Sequence, residues 1–279
     1  MSSYYRPDTL TEALGVLAGT GAVVAAGCTD LFPATGGPEL RGPILDITAI
    51  GELRGIARTA DGWRIGATTT WADLRIARLP AAFDMLKQAA AEVGARQIQN
   101  AGTVAGNLCN ASPAADGVPP LLALDAEVEL IGRAGMRRLP LAEFLVDARQ
   151  TQRRPDELLT AVHVPARAGS GQSRFLKLGA RKYLVISIAM VAVRLEVTNG
   201  LISDLAIAVG ACSTVAHRLS GVEQGLIGAP VAALDDAVNR ARMAVCLSPI
   251  SDIRADAPYR IEAATELVNR VLADLAGAS

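Results

Sequence analysis

Residues 95–120, ARQIQNAGTVAGNLCNASPAADGVPP, sustain neither a period of 2 nor one of 3.6, and they are crowded with glycine, asparagine, serine and threonine. A structureless loop this long inside a compact domain is uncommon, and where it occurs it is functional. The flanking segments must therefore supply a rigid frame for it. Upstream they alternate between helix and strand. Thr9-Leu10-Thr11-Glu12 fits a capping box, Leu10, Ala13, Leu14 and Leu17 follow at helical spacing, and Gly19 and Gly21 stop the helix. The apolar run 22–26 suits a buried strand, which Gly27-Cys28-Thr29-Asp30 breaks into a polar turn. Further strands are expected at 44–47 and 63–68, then a short helix capped by Thr70 with Trp71, Leu74 and Ile76, and an amphipathic helix over 81–93 closed by Gly94.

Downstream, 127–131 and 158–164 read as strands, and the PARAGSGQ stretch at 165–172 has the composition of a linker, so a domain boundary is placed there. Beyond it, two strand-like runs at 188–197 and 201–209 flank Asn199-Gly200, a strong hairpin signal, and should pair antiparallel. Segments 230–245 and 258–275 each start near a proline and carry apolar residues at helical spacing. The second unit is thus a small α+β domain. A prior of about 150 residues per domain gives the same two-domain division of a 279-residue chain.

Composition removes whole classes of function. With 27 basic and 28 acidic residues the net charge is −1, which offers no counterion-release argument for nucleic acid. At 51% hydrophobic and 20% charged the chain is globular. The longest apolar run, 184–193 and interrupted only by Ser187, is about half of the ~20 residues a membrane helix needs. The N-terminus shows no basic segment leading into an apolar one, so a cytoplasmic protein is expected. Cys28, Cys109, Cys212 and Cys246 are too scattered for any C-x-x-C pair, so neither zinc nor an iron–sulfur cluster is expected within the chain. There is no G-x-G-x-x-G after a strand, no P-loop, no H-E-x-x-H and no G-x-S-x-G. His163 and His217 read as structural or surface histidines.

Two segments are hard to explain by packing alone. One is Ala26-Gly27-Cys28-Thr29-Asp30-Leu31, a strand end opening into successive backbone amides beside a hydroxyl and a carboxylate. The other is Asn100-Ala101-Gly102-Thr103-Val104-Ala105-Gly106-Asn107. Small residues let a ligand approach the main chain, and consecutive N–H groups in such turns form a concave anion site without a lysine. Asp116 could accept hydrogen bonds from ligand hydroxyls or could cap a helix through 121–124.

Taken together, these segments resemble the FAD-binding medium subunit of molybdenum hydroxylases, the carbon monoxide dehydrogenase and xanthine dehydrogenase flavoprotein family. The matching stretches are AAGCTDL (25–31), IGATTTWADL (65–74), RQIQNAGTVAGNLCNASPAADGVPPLLALDAEVEL (96–130), DELLTAVHVP (156–165), FLKLGARK (175–182), VGAC (209–212) and SDIRADAPYR (251–260). The resemblance implies an α+β chain: a two-subdomain PCMH (VAO-type) FAD-binding domain over 1–168, divided near residue 55, then a C-terminal domain over 169–279 with a three-stranded antiparallel sheet and helices. It carries FAD contacts onto Ala25, Ala26, Gly27, Cys28, Thr29, Asp30 and Leu31 and onto Ala101, Thr103, Val104, Ala105, Gly106 and Asn107, the two bends gripping the diphosphate from opposite sides. Ser112 joins them, Asp116 would touch the ribityl and isoalloxazine region, Leu159 and Lys177 would line the flavin, and Tyr183 would lie near the ring. Cys28 and Ala105 stand where glycine is commonest in the family, so both are expected at negative φ.

The resemblance further implies a heterotrimer with an iron–sulfur small subunit holding [2Fe–2S] clusters and a molybdopterin large subunit, assembled as a dimer of heterotrimers. Electrons would pass through the clusters to FAD here and on to NAD⁺, a quinone or another acceptor. No catalytic or metal-binding side chain is expected on this chain, the reactive part being the flavin. Two alternatives remain: a free-standing VAO-type flavoprotein oxidase or dehydrogenase, and a scaffold that has lost FAD and serves assembly alone.

Overall fold

The computed structural model describes residues 3–36, 40–234 and 237–277. The N-terminal unit holds β1 (Tyr4–Tyr5), α1 (Leu10–Thr20), β2 (Val23–Ala25), α2 (Leu31–Ala34) and β3 (Ile44–Asp46), its strands parallel in the order β1-β3-β2. Thr9 accepts from the Glu12 amide at 3.3 Å, but the Glu12 side chain makes no return bond, so only half of the expected capping box forms. Gly21, at φ 61°, ends α1 with its N–H on the Leu17 carbonyl. Ala13 and Leu17 of α1 bury against Leu45, Ile47 and Leu53, and this packing fixes the direction in which β2 delivers residues 27–30.

The second unit is built on β4 (Ile56–Thr59), β5 (Gly62–Gly66), β6 (Glu127–Gly132), β7 (Gly135–Pro140) and, after the small ribbon β8 (Leu145–Asp147) and β9 (Gln150–Thr151), β10 (Leu158–Pro165). These form an antiparallel sheet in the order β4-β5-β10-β6-β7. Its helices are α3 (Trp71–Ile76), α4 (Asp84–Glu92), α5 (Arg96–Ala101), α6 (Val104–Asn110), α7 (Val118–Ala123) and α8 (Leu141–Phe144). Thr70 and Asp73 complete a full capping box on α3.

Three of these helices correct the reading of 95–120 as structureless. Each is only six or seven residues long, too short to display a helical period, and α6 is nucleated by the Thr103 hydroxyl accepting from the Gly106 amide at 3.1 Å.

The third unit holds β11 (Gln172–Leu178), β12 (Ala189–Thr198), β13 (Leu201–Gly210) and β14 (His217–Arg218), with α9 (Ser220–Leu226), α10 (Arg240–Cys246) and α11 (Ala257–Gly277). The hairpin at Asn199-Gly200 forms as expected. The sheet has four strands rather than three, because β14 adds two residues against Ala208 and Val209, too few to leave a sequence pattern. The expected helix at 230–245 is broken into a 3-10 turn, Val231–Leu234, and α10; residues 235 and 236 lie outside the described residues.

Strand β12 explains its own unbroken apolar sequence. Met190 and Ala192 face the core of the second unit, while Ala189, Val191 and Val193 face α11 and the third unit's core. A strand buried on both faces reads as a continuous apolar run. The first of these cores crosses the sequence boundary, taking in Phe175, Ala206 and Ala208 with Leu121, Val128 and Val162. Two arginines from the third unit also serve the C-terminal end of α7: Arg194 Nε donates to the Ala123 carbonyl at 3.3 Å, and Arg218 Nη1 to the Leu122 carbonyl at 3.0 Å and to Asp125 at 2.7 Å. Helix C-terminal carbonyls favour cations, so this interface is polar as well as packed. No helix among the described residues is long and apolar enough to cross a membrane.

Candidate cofactor cleft

A cleft of about 980 Å³ opens between the N-terminal and second units, at the upper end of the size that takes a small-molecule cofactor. One wall is the bend after β2, contributing Ala26, Gly27, Cys28, Thr29, Asp30 and Leu31; the other is α6, contributing Thr103, Ala105, Gly106 and Asn107, with Leu159 from β10. The two walls touch at their base. An added Cβ on Gly27 would stand 1.9 Å from the Ala101 carbonyl oxygen, and one on Gly102 would stand 3.4 Å from Thr29 Oγ1. The bends therefore face one another.

Their amides differ. Among the described residues the N–H groups of Gly27, Cys28, Thr29, Asp30 and Leu31 donate to nothing in the protein, while the carbonyls of Cys28 and Asp30 start α2. Five successive free donors at a strand end form an anion cradle. Residues 27–29 and 31 are part-buried and Asp30 is exposed, so these donors stand open to a ligand entering the cleft. The second bend is spent internally. Val104 N–H goes to the Thr69 carbonyl, Ala105 N–H to Ala67, Gly106 N–H to Thr103 Oγ1 and Asn107 N–H to the Thr103 carbonyl. The expected pair of amide sites is thus one amide site facing a wall of small side chains. That wall still offers Asn107, whose buried Oδ1 lacks any hydrogen-bond partner. The residues present therefore fit a group with an anionic, acceptor-rich part and a donor.

Cys28 corrects the expectation of negative φ: it sits at φ 56°, in the left-handed region. The Gly27–Ala101 contact forces the chain to turn tightly there, and the strain falls on a thiol-bearing residue where glycine would cost less. Ala105, inside α6, is buried and helical. Burial raises the Cys28 thiol, Asp46 adding to it and the hydrogen bond to the Ala26 carbonyl opposing; the Cys109 thiol, also in the cleft, is pushed up to about 11 by burial. Both stay protonated near neutrality and are poor nucleophiles.

The remaining sequence-predicted residues do not line the cleft. Ala25 is buried in β2, Val104 is fully buried, Ala101 contributes its carbonyl beneath Gly27, and Ser112 Oγ accepts from the Ala114 amide. Asp116 and Lys177 face each other. Lys177 Nζ lies 2.6 Å from Asp116 Oδ2 and 3.5 Å from the Glu92 carbonyl, while Ser187 Oγ donates to Asp116 Oδ1 at 2.6 Å. Asp116 does not cap α7, whose N-cap is Gly117 without a side-chain bond. Burial pushes the Asp116 carboxyl up, with Lys177 and Ser187 pulling back. The pair reaches the cleft only through the Glu92 carbonyl, next in sequence to the cleft-lining Val93, and spans the neck of the loop 179–187, where Ile188 N–H meets the Leu178 carbonyl at 2.8 Å. Tyr183, 61% exposed, is at the tip of that loop. Sequence reasoning passed over Trp71, Val93, Ile98, Arg149 and Arg153, all lining the cleft. The arginines carry no motif in the sequence.

Residues 1–167 match the family described as the FAD binding domain in molybdopterin dehydrogenase, and residues 174–275 match the CO dehydrogenase flavoprotein C-terminal domain. The xanthine dehydrogenase FAD-binding subunit of Escherichia coli O157:H7 is 30% identical over 288 residues, covering 100% of this chain and 97% of that protein. The carbon monoxide dehydrogenase medium chain of Hydrogenophaga pseudoflava is 30% identical over 286 residues, covering 96% and 95%. The reconstituted CO dehydrogenase from Oligotropha carboxidovorans superposes with a TM-score of 0.92 at 26% identity, covering 100% of this chain and 99% of that one. The match runs through both bends of the cleft and both ends of the chain, and the chain belongs to the family of FAD-binding medium subunits of molybdopterin-dependent dehydrogenases.

Proposed function

We propose that this chain is the FAD-holding electron-transfer subunit of a cytoplasmic heterotrimeric molybdenum hydroxylase, working beside an iron–sulfur small subunit with [2Fe–2S] clusters and a molybdopterin large subunit, two heterotrimers to a complex. The division into residues 1–168, with subdomains meeting near residue 55, and 169–279 belongs to the same reading. The chemistry that bound FAD supplies is the passage of electrons from the partner's clusters to NAD⁺, a quinone or another acceptor.

This chain's part is binding and orientation. The amides of residues 27–31 hold the diphosphate, with the Thr29 and Thr103 hydroxyls beside it, and Ala26, Ala105 and Gly106 let the ligand approach the backbone. Asn107 Oδ1 accepts from a ligand donor. Leu159 supplies an apolar wall, and Asp116 with Lys177, tied to the Glu92 carbonyl, supports the flavin end, holding Ser187 and the loop that bears Tyr183. The observation that carries the reading is the row of five unsatisfied amides opposite the Ala101–Gly102 backbone. A free-standing oxidase with a covalent flavin is disfavoured: neither histidine lines the cleft, and both cleft thiols are shifted towards the protonated form.

Thr29→Glu in the assembled complex tests the reading. A carboxylate in the cradle should expel FAD and abolish reduction of the terminal acceptor while substrate still reduces the molybdenum centre. Acceptor turnover with an empty flavin site would overturn it.

A further inference from the structure

Arg149 and Arg153 line the cleft, yet neither forms an ion pair with any described residue. The cleft-lining acids do not neutralise them. Glu157 is held by Arg137 at 2.7 Å and by Arg154 at 4.0 Å, and Asp30 is exposed at the opposite bend. Each guanidinium is instead aimed by backbone. Arg149 Nη1 donates to the Asn110 carbonyl and side-chain oxygens, and its own amide to the Ala111 carbonyl at 2.8 Å; Arg153 Nη1 donates to the Glu157 carbonyl at 2.8 Å and the Arg154 carbonyl at 3.2 Å. The other guanidinium nitrogens of both residues have no protein partner among the described residues. Arg149 also pays in backbone strain, at φ 62° in the two-residue turn between β8 and β9, where glycine or asparagine would sit at lower cost.

We infer that Arg149 and Arg153 form a second oxyanion subsite of this cleft, built to hold a nucleotide phosphate. Helix α6 runs from the amide cradle, where Thr103 meets the first bend, to Asn110, which anchors Arg149. Seven residues at 1.5 Å per residue separate the two ends by roughly 10 Å. Guanidiniums with free N–H edges match phosphate oxygens in shape and charge. Two sources share that chemistry: a nucleotide electron acceptor lying against the loaded cleft, or FAD itself with its diphosphate drawn towards the arginines. The inference rests on the proposed FAD-holding role for the identity of the first ligand, but the arginine site can be probed without it.

The test uses the full chain and its Arg149→Gln/Arg153→Gln variant, with Arg154→Gln as a neighbouring control that does not line the cleft. FAD affinity is followed by flavin fluorescence on apo protein, and inorganic pyrophosphate binding by calorimetry on the FAD-loaded and FAD-free chain. Melting temperature checks that each variant is folded. A tenfold or larger loss of pyrophosphate affinity on the loaded chain, with FAD affinity within threefold of wild type, supports the subsite and assigns it to a second nucleotide. A tenfold or larger loss of FAD affinity supports it and assigns it to FAD. A folded double variant whose affinities both match those of wild type and Arg154→Gln would overturn it. Failure of the wild-type chain to take up FAD would sink the FAD-holding role instead, leaving pyrophosphate binding to the FAD-free chain to decide the arginine site.

Discussion

Replacing Gly27 with alanine places a methyl group where the structure has none to spare. The new carbon would lie 1.9 Å from the Ala101 carbonyl oxygen, 2.6 Å from its carbon and 2.9 Å from Gly102 Cα, all of them backbone atoms that no rotamer change can move. Ordinary contact begins at 3.4 Å, so the two bends must part by about 1.5 Å. Overpacking of this kind costs about 1–3 kcal/mol of stability. The effect on the ligand is larger. A cradle displaced by that much loses about two of its charge-assisted hydrogen bonds, at roughly 1.5–3 kcal/mol each. FAD affinity should then fall by ~10²–10⁴-fold at 1.4 kcal/mol per decade. Gly15→Ala is the internal control: its Cβ meets nothing within 4 Å, inside α1 and away from the cleft lining. Fluorescence titration of apo protein with FAD, beside a thermal melt, reads both terms. A Gly27→Ala chain that binds FAD as tightly as Gly15→Ala, with an unchanged melting temperature, would refute the opposed-bend geometry.

Cys28→Gly should keep or improve FAD affinity and stability by relieving left-handed strain of about 1 kcal/mol, whereas Cys28→Val should lose both; the same titration reads it. Lys177→Met strands a buried carboxylate at Asp116 and should cost about 3–5 kcal/mol in urea unfolding at neutral pH, while the Asp116→Asn/Lys177→Met double variant recovers most of that. Arg218→Ala removes the partner of Asp125, Glu223 and the Leu122 carbonyl together, so a loss of about 3 kcal/mol is expected, and calorimetry should show the whole chain melting lower in a single transition. Burial holds His163 below 6.5 against the pull of Glu129; for Glu129, burial would raise the carboxyl, but hydrogen bonds from Thr160 and His163 outweigh it and hold it below 4.5. Both bind fewer protons folded than unfolded, so stability falls as pH drops below 6.5, and His163→Gln should flatten the upper part of that slope in pH-dependent melts.

The sequence made the long periodic elements legible because each has one dominant partner face: α1, α11 and the Asn199-Gly200 hairpin stand where their patterns put them. What escaped it was short or shared. Helices α5 to α7 are each under two turns, fixed by tertiary bonds such as Val104 N–H to the Thr69 carbonyl, and such bonds leave no period. Strand β14 is two residues held by its neighbour. At the cleft, the glycine-rich bends were legible as places of close backbone approach, but hydrogen-bond spending was not. Only the structure distinguishes five free amides after β2 from four satisfied ones entering α6. The left-handed Cys28 escaped for the same reason, since the demand comes from Ala101, far away in sequence. Arg149 and Arg153 look like any surface arginines until the ribbon of β8 and β9 folds them onto the cleft.

Amide hydrogen exchange of the full apo chain, with and without saturating FAD, reads the cradle directly. Ligand binding should slow exchange at Gly27, Cys28, Thr29, Asp30 and Leu31, leave the already bonded amides of residues 104–107 little changed, and be mimicked by FAD but not by riboflavin, which carries no phosphate. Tight FAD binding with exchange at residues 27–31 as fast as in the apo chain, or equal protection by riboflavin, would contradict a diphosphate held by those five amides.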